Sequence, residues 1–268
     1  MALGILCAYG VLSRLGRARG LSPDRLANLV VLLVFSGLAG ARLFFVAEHW
    51  PYFRADPAAI VRIWEGGLMF YGSIVVGGLV LVAYCARARL RMLPLLDLFA
   101  VVVPVGQAFG RVGCFLNGCC YGRPADTWLS VRYPALSIPW HDQVNAGLLP
   151  TGAPASLPML PSQLIEAAGC ALLFLLLLWA YRRLEPAGTP VAERPAPGAR
   201  DPAGAPLAIY LAGYGVLRFI VETLRSDERA HPFGGPFTIS QAISLGALLL
   251  AAVLFARVWL RNRPSARA

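Results

Sequence analysis

Apolar residues along this chain come in long uninterrupted blocks, and the segments between the blocks are rich in arginine, proline and glycine. Six blocks run for about 18 residues or more, at about 26–46, 67–86, 93–115, 162–181, 207–224 and 238–260. A hydrocarbon core about 30 Å thick takes about 20 residues of helix to cross. With no water there to satisfy the backbone, each crossing segment must close its own hydrogen bonds, and runs rich in Leu, Ala and Val do so as helices. A further apolar stretch, 2–13, is too short to cross and lacks the basic start and small-residue cleavage site of a signal peptide; it reads like the back half of a span, with the true start upstream. The pattern predicts an all-α membrane protein, a polytopic bundle of about seven transmembrane helices forming one membrane domain over 1–268.

The connectors sharpen this picture. Ser22-Pro23-Asp24 has the form of a helix start, with serine as cap and proline at the first helical position. The connector 47–65 carries Trp50, Tyr52, Phe53 and Trp64, aromatic residues suited to a membrane interface. Segment 117–160 is polar, Pro-rich and too long for a turn, so it is expected to form a small head outside the bilayer. Segment 185–206 is rich in Pro, Ala and Gly and cannot bury a core, which predicts a disordered cytoplasmic loop. Arginines crowd the first, third and fifth connectors and the C-terminal tail. The positive-inside rule then places the tail in the cytoplasm and the 117–160 head outside, in a multi-pass membrane protein.

Composition agrees with the pattern. The chain is 57% hydrophobic and 14% charged, with a mean hydropathy of +0.62; soluble domains carry about 25% charged residues. The net charge is +10, and all 24 basic residues are arginine. They flank the apolar blocks and form no single basic face, which argues against nucleic acid as a partner. Of the six cysteines, Cys114, Cys119 and Cys120 cluster. They lack the paired spacing of structural zinc sites and have no histidine within a few residues, so neither a metal nor any other cofactor is expected.

Ionisable residues inside apolar blocks are costly, at roughly 2.5–3.5 kcal/mol for a central position. Arg42, Asp97, Arg111, Arg218 and Glu222 are so placed, with Arg225 just past the end of its block. Tyr214, Arg218 and Glu222 step by four and Arg225 follows by three, so all share one helix face, and Arg218 can pair with Glu222. Gln107 and Arg111 also step by four, and Gln163 and Glu166 are three apart. Three helices thus each carry a polar stripe near the outer side of the membrane. Such stripes face one another or a wet cavity. Guanidinium groups near a bilayer surface suit a phosphate, which they grip through two parallel hydrogen bonds, and this points to a phospholipid head group in the outer leaflet. Arg42 is expected to snorkel to the interface, and Asp97, near the inner side, to pair with cytoplasmic-side arginines.

Several segments also resemble those of a known family, the bacterial prolipoprotein diacylglyceryl transferases. GRVGCFLNGCCYG (110–122) looks like the family signature. WEGGLMFYGSIVVGG (64–78), PSQLIEA (161–167), YGVLRFIVETLR (214–225), GARLFFV (40–46) and ISQAIS (239–244) are similar to other family segments, in family order. The resemblance implies transfer of the diacylglyceryl group of phosphatidylglycerol to the lipobox cysteine thiol of prolipoproteins, forming a thioether and releasing glycerol phosphate. It implies catalytic roles for Arg111, Arg218, Tyr71 and Tyr214. Arg111, Asn117, Gly122, Gln163, Glu222 and Arg225 are then expected to bind substrate, so the partners are phosphatidylglycerol, prolipoprotein signal peptides and the membrane. Gly110, Gly113, Gly118 and Gly122 would allow close backbone approach, either to a ligand or between helices. The chain departs from the family pattern where Tyr71 replaces a histidine, Cys114 and Cys119 replace Asn and Glu, Leu160 replaces a histidine and Ile165 a tyrosine. A phenol is a poorer base than an imidazole near neutral pH. These departures leave open a non-catalytic or differently specific relative that binds an anionic phospholipid. Charged stripes also occur in transporters, but the internal repeat common there is not evident.

Overall fold

The computed structural model describes residues 2–184, 190–193, 200–225 and 237–263. Among them, nine α-helices follow one another: α1 (Ala2–Arg17), α2 (Pro23–Glu48), α3 (Trp50–Phe53), α4 (Phe70–Ala88), α5 (Met92–Leu116), α6 (Ile138–Asn145), α7 (Ser162–Leu184), α8 (Ala205–Thr223) and α9 (Ile239–Arg261). Six of these, α2, α4, α5, α7, α8 and α9, are long and apolar enough to cross a membrane. The expected seventh is α1, whose 16 residues fall short of the about 20 that a full crossing takes. The chain is an all-α, multi-pass membrane protein, and β pairing among the described residues is confined to isolated bridges.

Two compact units divide the chain. The smaller comprises 12–95 with 188–194. Its α2 starts as the sequence predicts: the Ser22 side chain accepts a hydrogen bond from Arg25 N, and Pro23 opens the helix. α4 begins at Phe70, three residues later than the apolar pattern suggests, because Gly66 and Gly67 have φ of 91° and 73°, outside any helical backbone. α2 and α4 cross where Gly40 meets Gly72; a Cβ on either would strike the other's backbone. Small residues at such a crossing let helices approach closely, and Ser73 Oγ donates to Gly37 O at 2.8 Å alongside.

Arg42 departs from expectation. It does not snorkel; only 8% of it is exposed, and the connector folds back over it. Its guanidinium donates to the carbonyls of Ile60 (2.9 Å), Gly66 (2.8 Å), Gly67 (2.9 Å), Ala59 (2.5 Å) and Arg62 (3.4 Å). It also lies over the rings of Phe45 and Phe53. A guanidinium offers five N–H donors in a rigid fork, so one side chain organises a connector that has only the four-residue α3 and short 3₁₀ turns of its own. Substituting Arg42→Ala leaves these carbonyls without their donor. A thermal melt in detergent is expected to show a loss of about 3 kcal/mol, and Arg42→Lys, a single-point donor, restores only part of it. A melt unchanged by Arg42→Ala would refute the organising role.

The larger unit comprises 1–11, 96–187 and 195–268. Here α7 packs on α8 and α8 on α9. α9 is opened by a capping box, with Thr238 and Gln241 each satisfying the other's backbone. α8 has no side-chain cap from its own flank, since it follows Gly204. The buried carboxylate of Asp97 supplies one, accepting from Gly204 N at 2.7 Å and Leu207 N at 2.9 Å. Asp97 thus sits at the positive end of a helix, where an anion is stabilised, a role its place in the sequence did not show. Of the 185–206 loop, residues 185–189 and 194–199 lie outside the described residues. In the rest of it, Val191 is buried and donates its N–H to Arg19 O.

Segment 117–160 folds around α6 and a core of Tyr121, Tyr133 and Met159. Met159 bridges Pro124 and Val131, and Gly122 bridges Arg225. Trp140 Nε1 donates to Ala153 O at 2.8 Å, and Leu157 N to Gln143 Oε1 at 2.8 Å. Gly122 sits where a Cβ would collide with Leu160 and Leu224, so its lack of a side chain serves backbone packing.

Candidate active site

Four helices of the larger unit bring polar and charged side chains together at one end. Arg111 lies about one turn before the end of α5, Glu166 about one turn into α7, Arg218 about one turn before the end of α8, and Ser240 in the first turn of α9. Consecutive helices run in opposite senses, so these positions share one level.

Glu166, 1% exposed, is the hub. Arg111 Nε lies 3.0 Å from its Oε2 and Arg218 Nη1 3.6 Å from the same oxygen, while Tyr214 OH donates to Oε1 at 3.1 Å. Arg218 Nη2 lies 2.8 Å from Glu222 Oε2, the i,i+4 pair read from the sequence, and also donates to Ser240 Oγ at 3.0 Å. Glu222 is steadied from α9, where Thr238 Oγ1 donates to its Oε1 at 2.9 Å. Tyr214 stacks on Tyr210, and Gln107 Nε2 donates to Tyr210 OH at 3.1 Å. The three polar stripes do meet. One donor is unmet: Arg218 Nη1 is buried and makes no hydrogen bond. A buried unsatisfied donor costs about 1–3 kcal/mol, more when charged, and its 3.6 Å ion pair with Glu166 Oε2 is too long to satisfy it.

A family model for prolipoprotein diacylglyceryl transferase matches residues 1–257. The chain belongs to the prolipoprotein diacylglyceryl transferase family. Among curated relatives, a phosphatidylglycerol–prolipoprotein diacylglyceryl transferase of Synechococcus elongatus is 33% identical, with 92% of this chain and 78% of that protein covered. One of Symbiobacterium thermophilum is 31% identical, covering 94% and 83%. Phosphatidylglycerol–prolipoprotein diacylglyceryl transferase 2 of Clostridium perfringens is 30% identical, covering 95% and 87%.

Against the roles that the resemblance to this transferase family implies, the structure places the residues unevenly. Arg111, Tyr214, Arg218 and Glu222 form the cluster. Gln163, 1% exposed, stands beside it and donates to Cys119 O at 2.8 Å and Tyr133 OH at 3.1 Å. Arg225 is half-buried and hydrogen-bonds the Cys120 thiol. Asn117 is exposed at the end of α5, and the contacts of the cluster do not include it. Tyr71 belongs to the smaller unit, in the first turn of α4, and is 43% exposed. Glu166 was noticed as part of a stripe but not counted among the site residues, although a buried carboxylate in a span always needs partners.

The cysteines also behave differently from expectation. The Sγ atoms of Cys114, Cys119 and Cys120 all lie within 4.8 Å of one another, which their sequence spacing did not suggest. Burial alone would raise the Cys120 thiol above its ordinary pKa. The Arg225 hydrogen bond and charge, with help from Cys119 and Arg111, outweigh burial and bring it below.

Proposed function

We propose that this protein transfers the diacylglyceryl group of phosphatidylglycerol to the cysteine thiol of prolipoproteins, as its family is named for doing. The observation that carries the reading is that Arg111 and Arg218 share one buried carboxylate, Glu166, while the buried Nη1 of Arg218 makes no hydrogen bond. Two guanidiniums from different helices, one with a donor to spare, suit a phosphate.

In this reaction a substrate thiolate attacks the glycerol carbon that bears the phosphate. The carbon–sulfur bond forms as the carbon–oxygen bond breaks, and glycerol phosphate leaves with the electron pair. Negative charge grows on the departing phosphate, so pre-aimed guanidiniums stabilise the transition state more than the bound lipid. In this reading Arg111 and Arg218 hold the phosphate, and Glu166 and Glu222 keep both guanidiniums aimed. Tyr214 donates to Glu166 and fixes its orientation. Gln163 and Arg225 secure the segment that follows α5, against which the head group lies. Asn117, Gly122 and Tyr71 keep weaker parts, the first as a donor to the head group, the second through backbone approach, the third on substrate.

The arginine-rich connectors support a cytoplasmic C-terminus. On that orientation the cluster lies near the outer leaflet of the inner membrane, with the 117–160 head beyond it and the 185–206 loop in the cytoplasm. The test is to reconstitute the purified chain with phosphatidylglycerol and a lipobox peptide and look for the thioether product by mass spectrometry. Absence of product under conditions where an authentic relative turns over would refute transfer. Lipid binding retained without turnover would favour the alternative prompted by Tyr71, Cys119 and Leu160, a relative that binds an anionic phospholipid without catalysis.

A further inference from the structure

The three thiols beside the arginine cluster have no part in the transfer described above, yet the chain takes trouble to assemble them. Cys114 lies near the end of α5. Cys119 and Cys120 are adjacent, and in extended backbone their side chains would point to opposite faces. Positive φ at Gly118 (68°) and at Cys120 (64°) breaks that alternation. A non-glycine residue rarely adopts such a backbone, and it persists only where its surroundings enforce it. Here buried Gln163 holds Cys119 O at 2.8 Å and the buried Ser162 hydroxyl holds Cys120 O at 3.0 Å. Cys119 N donates to Cys114 O at 3.1 Å. All three cysteines are free thiols.

Zinc–thiolate bonds are about 2.3 Å, which sets sulfurs around one ion about 4 Å apart. The three Sγ atoms, within 4.8 Å of each other, need contract by less than about 1 Å to meet that spacing. We infer that Cys114, Cys119 and Cys120 form a three-thiolate site for a zinc-type divalent cation, whose open fourth position takes the thiol of the prolipoprotein cysteine. This rests on the transferase reading.

Charge supports the assignment. Three thiolates and a dication leave one net negative charge. Arg225 hydrogen-bonds Cys120, and Arg111 interacts electrostatically with Cys114 and Cys120, so positive charge lies beside the thiols. Zinc sites with four protein ligands are structural; those with three and an open position are catalytic. A thiol that coordinates zinc gives up its proton. The substrate thiol therefore binds the ion and releases its proton to water. Its sulfur attacks the glycerol carbon, and the carbon–oxygen electron pair leaves on the phosphate held by Arg111 and Arg218. The uncharged thioether is a weak ligand and departs, restoring the open position. No oxidant or reductant is consumed. The ion thus supplies the thiolate in a cluster whose two carboxylates, Glu166 and Glu222, are already ion-paired.

The test uses the full chain purified in detergent under reducing conditions, stripped with chelator and dialysed against Zn²⁺ or Co²⁺ alone. About one ion per chain is expected, with thiolate-to-cobalt charge-transfer absorption. Both should vanish in Cys119→Ser/Cys120→Ser and persist in Cys7→Ser, a cysteine that lies elsewhere on α1. A free thiol with pKa near 8.5 is only about 3% ionised at pH 7, so stripped wild type and the double variant should transfer about 30-fold more slowly at pH 7 and recover by pH 9. Zn²⁺ should rescue the stripped wild type and not the variant. No metal uptake by the wild type, full uptake by the double variant, or a stripped enzyme as fast as the holo form at pH 7 would each overturn the proposal. Thiolate-bound metal with no thioether product in any form would leave the metal site standing and remove the transferase reading.

Discussion

Replacing Arg218 by alanine is expected to reduce thioether formation by about 10³-fold or more while the protein still inserts in the membrane and purifies as wild type. The magnitude follows from removing a charged donor aimed at the leaving group, an effect that typically costs 10²–10³ in rate for a single neutral donor. Arg218 bears more than one such donor. Its Nη2 is committed to Glu222 and Ser240, and its buried Nη1, 3.6 Å from Glu166 and without a hydrogen bond, has a donor left for a ligand. Insertion should survive, because the lost cation leaves Glu222 with Thr238 and Glu166 with Arg111 and Tyr214. Arg218→Lys should recover little: an ammonium is a single point charge and cannot hold α9, Glu222 and a phosphate at once. Rates measured across phosphatidylglycerol concentrations decide the matter. A loss confined to KM would mean that Arg218 binds the lipid equally before and during reaction; turnover close to wild type would end the assigned role.

What could be read beforehand was what helical periodicity exposes. The long spans follow from apolar block length, and their observed ends fall within a few residues of the blocks. The Arg218–Glu222 pair follows from i,i+4 spacing on one helix. The requirement that stripes on three helices meet follows from the cost of charge in hydrocarbon, and Arg111, Glu166 and Arg218 do meet. What escaped were contacts that depend on where loops and helix ends return. Arg42 reads as a lone cation near a helix end, and nothing local says that the carbonyls of 59–67 will wrap it. Asp97 reads as a misplaced acid, and its partner is a helix start more than 100 residues away. The cysteine cluster was judged by ligand spacing, which cannot foresee a left-handed turn at Cys120. Glu166 was legible as a buried acid, but its rank as hub depends on three helices converging, which spacing within α7 does not encode.

Glu166→Gln should separate binding from turnover in opposite directions. Among the described residues Glu166 is the anion shared by Arg111 and Arg218, and it is almost fully buried. Removing its charge keeps the side-chain shape but leaves Arg111 without its acidic partner and Arg218 with Glu222 alone. Breaking a buried ion pair in this way costs about 3–5 kcal/mol, so the variant should melt earlier in detergent. A bound phosphate then becomes the principal anion at the site. Phosphatidylglycerol should therefore bind more tightly to the variant, and a tenfold gain in affinity adds about 1.4 kcal/mol of stabilisation at saturating lipid. The melting shift on adding lipid should exceed that of wild type. Turnover should nevertheless fall by about 10²-fold, because the guanidiniums, freed from their common carboxylate, no longer hold the geometry that meets the leaving phosphate. A carboxylate that only fills space would give an earlier melt with no gain in the lipid-induced shift; one that acts as the proton acceptor would lose turnover with lipid affinity unchanged. Tighter lipid binding combined with slower chemistry is the outcome that a charge-balancing, aiming carboxylate alone produces.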